Sequence, residues 1–417
     1  MRRRVVITGL GVITPLGSDT ESTWEGLLAG RSGVDRTSQF DPSGLDVQIA
    51  AEVKGFDAEA LLGRRLARRN DRFSMLALAA AREAVQDARC DFGRDSPNAK
   101  RTGVLVGSGI GGVGALIAGY DAYLERGPRR VSPFMVTALM PNAASALIAM
   151  EHGLRGPNFA VSSACATGNH ALGEAAAVIR RGDADAMICG GSEAGMHPLA
   201  VAALSNMGAL STRNEEPQRA SRPFDAERDG FVLGEGAGVL VLESLEHAQE
   251  RGATIRAELL GYGAGCDAFH IAAPDETGEG AARAMAAALQ DAGVAPEEVD
   301  YINAHGTSTP LNDPVETQAI HRVFGAHACS LAVSSTKSML GHLIGAAGAV
   351  EAVVSVKSLE TGWIHATINY ENPDPACDLD YVPNEPRLLR PRTVLSNSFG
   401  FGGHNACLVL GRWDDGD

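Results

Sequence analysis

Apolar residues fall along this chain in short runs, separated by longer Ala-rich stretches with helical spacing. Residues 5–9 (Val-Val-Ile-Thr-Gly) read as a core strand, followed by a helix around 23–28 and a longer one over 74–88. Strand-like runs follow at 104–106, 186–189 and 238–242. The second half repeats this series. Residues 257–263 match the opening strand and turn, 300–306 match the strand that ends in the first Gly-rich turn, and 406–410 match the closing strand at 238–242. Ala160-Val161-Ser162-Ser163 recurs as Ala332-Val333-Ser334-Ser335, each followed by small residues and an Ala-rich helix, at 173–178 and 345–354. Alternating strands and helices predict α/β layers. The shared order of several features predicts an internal duplication, with halves spanning 1–252 and 253–417. Two similar halves facing each other would bring their matched turns to one site.

Candidate chemistry concentrates at those turns. Residues 159–168 (Phe-Ala-Val-Ser-Ser-Ala-Cys-Ala-Thr-Gly) read as strand, sharp turn and helix, with Cys165 at the turn. Unpaired N–H groups at a helix start favour thiolate over thiol, and small neighbours let a carbonyl approach the sulfur. A free Cys is more often a buried structural residue, so other residues must decide. His305 lies in Asn303-Ala304-His305-Gly306-Thr307-Ser308-Thr309-Pro310, just past a strand end, and His342 lies before a helix in residues 334–342. A thiol with two imidazoles suits acyl transfer: the thiolate takes an acyl group and neutral imidazole N–H groups donate to a developing oxyanion. Residues 396–405 (Ser-Asn-Ser-Phe-Gly-Phe-Gly-Gly-His-Asn) can add backbone N–H groups and an aromatic gate over an apolar channel. The Gly-rich turn 107–112 lacks dinucleotide or P-loop spacing and is read as close backbone packing.

Composition narrows the class. The 417 residues allow a large core, and a net charge of −15 argues against nucleic-acid binding. Seven Cys with no CxxC pair argue against a zinc site or disulfide framework and fit a reducing, cytoplasmic setting. The Arg-rich start precedes an apolar run too short and Gly-broken for a signal peptide, and no uninterrupted run is long enough to span a membrane.

On these motifs the chain resembles the elongating β-ketoacyl-[acyl-carrier-protein] synthases (the synthase II branch) of type II fatty-acid synthesis, in the thiolase superfamily. The marks run over nearly the whole length: residues 5–9, Ala164-Cys165-Ala166-Thr167-Gly168, Ala220-Ser221-Arg222-Pro223-Phe224-Asp225, 229–236, 303–310, 334–342 and 397–403. The Cys-His-His set is similar to the elongating enzymes rather than to the initiating, coenzyme-A-primed branch with its Cys-His-Asn. The resemblance implies a thiolase-like α/β fold, two pseudo-duplicated halves forming a layered αβαβα core, in a homodimer. It implies a ping-pong Claisen condensation with acyl carrier protein as partner and 4'-phosphopantetheine thioesters as substrates, and no required cofactor. Cys165 would accept the acyl chain, while His305 and His342 would stabilise the enolate left by malonyl decarboxylation. The backbone N–H groups of Cys165 and Phe401 would form the oxyanion hole, with Phe401 also gating the thiol. Lys337 and Glu351 match the family's supporting pair, Thr307 and Thr309 the pantetheine contacts, and Phe399 and Ile110 the substrate contacts. The turn 107–112 and the segment near Phe134 would lie close to the dimer face. Asn303, Glu351, Ser396 and Asn397 match positions where some members hold a structural monovalent cation, Na+ or K+. Ala272 stands where many members have Thr, which removes a hydroxyl contact.

Carrier proteins of this family are acidic, so an acidic enzyme needs a local basic patch to receive one. Arg64, Arg65, Arg68, Arg69 and Arg72 recur at spacings of three and four, so that several share one helical face, and Arg126, Arg129 and Arg130 cluster in a loop. The alternative is a solvated face with intramolecular partners such as Asp71 and Glu83. The rival enzyme reading is the ketosynthase α subunit of a type II polyketide pathway, with the same Cys-His-His chemistry. A non-catalytic carrier-binding homologue is opposed by the intact Cys165, His305, His342 and Lys337.

Overall fold

In the computed structural model, which describes residues 2–91 and 96–414, the expected strands form and most run longer than their apolar cores. The first half supplies β1 (Val5–Ile13), β2 (Thr102–Gly107), β3 (Asn158–Phe159), β4 (Ala186–Glu193) and β5 (Gly236–Ser244). The second supplies β6 (Ala257–Cys266), β7 (Tyr301–Asn303), β8 (Ala332–Ser334), β9 (Thr393–Gly400) and β10 (His404–Arg412). They join in one ten-stranded sheet in the order β8-β7-β9-β10-β6-β1-β5-β4-β2-β3. That order is the duplication made visible. Read outward from the centre, β1-β5-β4-β2-β3 is matched by β6-β10-β9-β7-β8. The pairing directions match as well: β2 runs parallel to β3 and β4, as β7 does to β8 and β9, while β1–β5–β4 and β6–β10–β9 are antiparallel. The halves meet where β1 pairs with β6 through Val6–Glu258 and Ile7–Ala257.

Helices complete the layers. α1 (Arg72–Ala88) and α3 (Ala143–His152) cover the outer face of the first half, with α2 (Val113–Arg126) beyond. α4 (Thr167–Arg180) and α7 (Ala347–Thr361) lie between the halves, and α5 (Glu279–Ala292) with α6 (Asn312–Phe324) covers the second half. The αβαβα arrangement therefore holds. Both faces of β5 are buried, Val239 and Val241 against the outer helices and Leu240 and Leu242 toward the centre, which explains its unbroken apolar sequence. α7 is apolar or small apart from Glu351 and Lys357, and residues 347–359 are all buried, as a helix packed against both halves of the sheet requires. α4 and α7 cross at Gly168 and Gly348, where a Cβ on Gly168 would fall 2.4 Å from the Ala349 nitrogen.

The basic run is divided between two helices. Residues Ala58–Leu62 and Arg64–Ala67 form two short helices broken at Gly63, whose φ of 84° suits glycine and stops the first. Asp71 then caps α1 as a fresh start, so no single helical face carries the five arginines. Arg64, Arg65, Arg68 and Arg69 are exposed, but Arg72 turns inward to Glu235 at 2.7 Å. Asp71 and Glu83 form no ion pair with the run among the described residues; they accept backbone N–H groups of Phe73 and Ala115, and of Val12 and Thr20.

Candidate active site

The chain enters the site from β3 through a single tight turn, Ala164–Ala166, that leads straight into α4. Ala164 sits at a φ of 50°, a conformation an L-residue adopts only when its surroundings hold it there. Thr167 is that hold: its hydroxyl accepts the Ser163 N–H at 2.9 Å and donates to the Ala164 carbonyl at 2.7 Å. Cys165 is thereby presented at the helix start with its side chain buried.

His342 comes from the other half. The Phe231–Gly234 segment clamps its backbone: the His342 N–H donates to Val232 at 2.7 Å, and its carbonyl accepts from the Gly234 N–H at 2.9 Å. Its Nε2 lies 2.9 Å from the Cys165 sulfur, and its Nδ1 accepts the Ile344 N–H at 3.2 Å. An Nδ1 that accepts carries no proton, so the neutral ring keeps its hydrogen on Nε2, facing the sulfur. His305 follows β7 in a loop fastened from α6. Glu316 accepts the N–H groups of His305 (2.8 Å) and Gly306 (2.7 Å), and Asp313 accepts those of Thr307 (3.1 Å) and Phe224 (2.8 Å). The two imidazoles meet edge to face with centroids 5.5 Å apart, and one ligating atom from each of Cys165, His305 and His342 lies within 4.8 Å of the others.

The electrostatics suit neutral donors. Burial, and then the Lys337 charge, hold both imidazoles well below their ordinary range. Lys337 is itself buried and bonded to Glu351, not a surface ion pair. Burial pushes the Cys165 thiol up to about 12, while Lys337 and the backbone N–H groups of Phe401 and Cys165 pull it down. The helix-start expectation of a resting thiolate is therefore corrected, because full burial outweighs the helix end and the nearby cation.

A cavity of about 390 Å³ opens over these groups, and Cys165, His305, Thr307, Thr309, His342, Phe399 and Phe401 all line it. The Thr307 and Thr309 hydroxyls share a 3.0 Å hydrogen bond at its wall, and Ala272 contributes only a methyl. Ile110 does not line this cavity. Its side chain is 42% exposed, and its N–H is tied to Glu193. The Gly107–Gly112 turn packs backbone to backbone, since a Cβ on Gly112 would fall 2.2 Å from the Ala138 carbonyl oxygen. Buried oxygens without a protein partner include Glu351 Oε2, Ser396 Oγ and Asn397 Oδ1, while Asn303 pairs with Thr336 at 3.3 Å.

Sequence reasoning missed four residues that shape this site: Asp313, Glu316, Phe231 and Glu193. The acids at 313 and 316 were findable as a pair three apart on the first turns of a helix that follows the His305 loop. Phe231 packs edge-on to His342 at 5.2 Å. Glu193 ends an otherwise small and apolar strand, fully buried, and burial raises its carboxyl to about 7 against the donors that surround it.

Comparison with known proteins gives this geometry a family. Residues 2–248 match the family description "Beta-ketoacyl synthase, N-terminal domain", and residues 256–371 match "Beta-ketoacyl synthase, C-terminal domain". The chain is 52% identical over 411 residues to a 3-oxoacyl-[acyl-carrier-protein] synthase 2 of Coxiella burnetii, covering 99% of each. A solved beta-ketoacyl synthase from Burkholderia phymatum superposes with a TM-score of 0.91 at 40% identity, over 99% of this chain and 100% of that one. A ketosynthase solved in complex with its type II polyketide synthase acyl-carrier protein gives a TM-score of 0.90 at 36% identity, over 99% of this chain and 100% of that one. A buried Cys-His-His cluster shared between two duplicated halves, in a chain matched along nearly its whole length, has one reading: this protein belongs to the beta-ketoacyl synthase family.

Proposed function

We propose that this enzyme condenses an acyl chain, held on Cys165, with malonyl-acyl carrier protein, giving 3-oxoacyl-acyl carrier protein and CO2 in fatty-acid elongation. The observation that carries the reading is the His342 Nε2–H directed at the Cys165 sulfur, with a second neutral imidazole beside it. In the first half-reaction the sulfur attacks the acyl thioester, and the thiol proton ends on the departing pantetheine sulfur. In the second, the malonyl C–C bond breaks, CO2 leaves, and its electron pair passes to the thioester oxygen. His305 and His342 stabilise that enolate as neutral donors. The enolate carbon attacks the acyl-Cys165 carbonyl, whose oxyanion accepts from the N–H groups of Cys165 and Phe401. Collapse of the tetrahedral oxyanion breaks the C–S bond and returns Cys165 as a thiolate, which takes one proton from solvent. Thr307 and Thr309 receive the pantetheine arm, Phe399 and Phe401 face the chain, and the Lys337–Glu351 pair keeps the imidazoles neutral. The greater identity to a fatty-acid synthase relative than to the polyketide ketosynthase favours the former pathway.

The unpartnered oxygens of Glu351, Ser396 and Asn397 are hard donors that fit Na+ or K+. With Asn303 beside them they would hold such an ion, which supplies a fixed positive charge and takes no part in a chemical step. The functional halves divide at residues 252 and 253, in the connection between β5 and β6. Two copies join through the apolar side chains that α2 and the segment after it leave exposed, among them Leu116, Tyr120, Leu124 and Val136, beside the sheet-edge strand β3. That face brings Ile110 and Phe134 to the partner. Sedimentation reads the dimer directly, and a single-chain mass at micromolar concentration would overturn it. No described helix is long and apolar enough to cross a membrane. We place the enzyme in the cytoplasm, where the seven unpaired cysteines are stable.

The function is tested by incubating the enzyme with a panel of acyl carrier-protein thioesters and malonyl carrier protein. Cys165 should carry the acyl group by mass spectrometry, and the 3-oxoacyl product should follow with one CO2. Acylation of a different cysteine, or product formation by Cys165→Ala, would refute the assignment.

A further inference from the structure

The duplication places a second site opposite the first. Cys165 lies in the turn before α4, and Gly345 lies at the matching place in the turn Ile344–Ala346 before α7. Both turns open on a residue at positive φ, Ala164 at 50° and Ile344 at 46°. The strands correspond too, since β9 ends at Gly400 and β4 ends at Glu193. Beside the nucleophile, Gly400 lets the strand end approach the turn closely: a Cβ there would fall 2.7 Å from the Ser163 carbonyl oxygen and 3.0 Å from the Cys165 nitrogen. In the mate, the matching strand end carries the Glu193 carboxyl group instead. It accepts the N–H groups of Gly109 (2.7 Å), Ile110 (3.3 Å) and Gly345 (3.1 Å) and the Ser108 hydroxyl (2.9 Å). The N–H at the turn that would serve an oxyanion in one half thus donates in the other, from Gly345, to a carboxyl group of the protein itself at the start of α7.

The mate is wired to the working site. Glu193 holds the Gly345 N–H, and the adjacent N–H, that of Ile344, fixes the His342 proton on Nε2. We propose that Glu193 is a positioning residue for the condensation. It anchors the Ile344–Gly345 turn across the duplication axis and so keeps His342 in its donor form. The proposal rests on the functional reading above only for its kinetic arm. A group that orients a donor typically costs on the order of 10–100-fold when lost.

The test combines kinetics with nitrogen-15 NMR of the imidazoles in the full-length enzyme. In Glu193→Gln the kcat for malonyl carrier-protein decarboxylation should fall about 10–100-fold, with KM changed by less than about twofold. The His342 resonances should move from the Nε2–H form toward a mixture with Nδ1–H. Gly109→Ala is the second variant, because its Cβ would sit 2.8 Å from Glu193 Oε2 and displace the carboxylate without removing its charge. It should show the same two signatures more weakly. A parental kcat, or a reduced kcat with the parental His342 proton, in whichever variant folds, overturns the proposal. A parent enzyme that never decarboxylates malonyl carrier protein defeats the functional reading instead, and leaves the NMR arm to judge Glu193.

Discussion

At the level of single residues, the proposed reaction needs donors that are neutral and already aimed. His305 and His342 are held well below the ordinary imidazole range, first by burial and then by Lys337. The uncharged form is the one the proposed reaction uses, so the contribution of each ring is present above its folded pKa and lost as pH falls through it. An imidazole of ordinary pKa would lose much of its neutral form between pH 7 and 6. Here nitrogen-15 NMR at pH 6 should still show both rings uncharged, and rings half-protonated near pH 6.5 would show that they titrate normally. His305→Ala and His342→Ala should each still acquire the acyl group on Cys165 but lose on the order of 10²–10³ in decarboxylation rate. A variant that decarboxylates at the parental rate marks its histidine as structural. Cys165, His305 and His342 were legible because each is a reactive side chain in a loop beside glycine or another small residue. The residues that aim them were not. Ile344 acts through its backbone N–H, and Glu193 reaches Gly345 across 152 positions of sequence, a separation no local pattern records.

Among the elements, legibility followed burial. β1, β5 and α7 are buried along most of their length and read as apolar or Ala-rich runs, whereas the arginine run has no such constraint. The helix that carries Arg64 and Arg65 stops at Arg68 and Asp71 starts α1 anew, a break that side-chain periodicity does not report. One close element contact is the crossing of α4 and α7, whose starts carry Cys165 and the Ile344–Gly345 turn. A Cβ on Gly168 would fall 2.4 Å from the Ala349 nitrogen and 3.2 Å from the Gly348 Cα, both backbone atoms that cannot rotate away. Gly168→Ala must therefore push the helices apart. Overpacking of this kind costs about 1–3 kcal/mol, and for a chain of this size each kcal/mol lowers Tm by about 2–4 °C or less. A measurable fall in Tm together with a loss of condensation is expected. An unchanged Tm with full activity would mean that the two helices slide freely, contrary to the close crossing.

Across the whole molecule, the question is how an acidic enzyme receives an acidic partner. The net charge is −15, so long-range repulsion must be overcome locally. The two basic runs lie far apart in sequence, but the fold brings them toward each other: the Arg69 guanidinium of the first stacks at 4.6 Å over the ring of Phe134, four residues beyond the turn Pro128–Arg130 of the second. Their members are not equivalent. Arg69 is committed to Phe134 and Arg68 leans toward Glu59 at 3.8 Å, whereas Arg64, Arg65, Arg129 and Arg130 are exposed and form no ion pair among the described residues. We propose that the latter four meet a carrier's acidic helix and direct its pantetheine arm toward Thr307 and Thr309. Reversing Arg64 and Arg65 to Glu, or Arg129 and Arg130 to Glu, removes two attractions and adds two repulsions without disturbing the stacked pair. Exposed charge pairs contribute about 0.2–1 kcal/mol each, so KM for carrier-bound substrates should rise about tenfold in either double variant. Activity on small soluble thioesters should stay at the parental level, because the cavity is untouched. The parental KM should climb with salt as exposed pairs are screened, and the variants should respond less. If both double variants keep the parental KM for the carrier at low ionic strength, the carrier docks elsewhere.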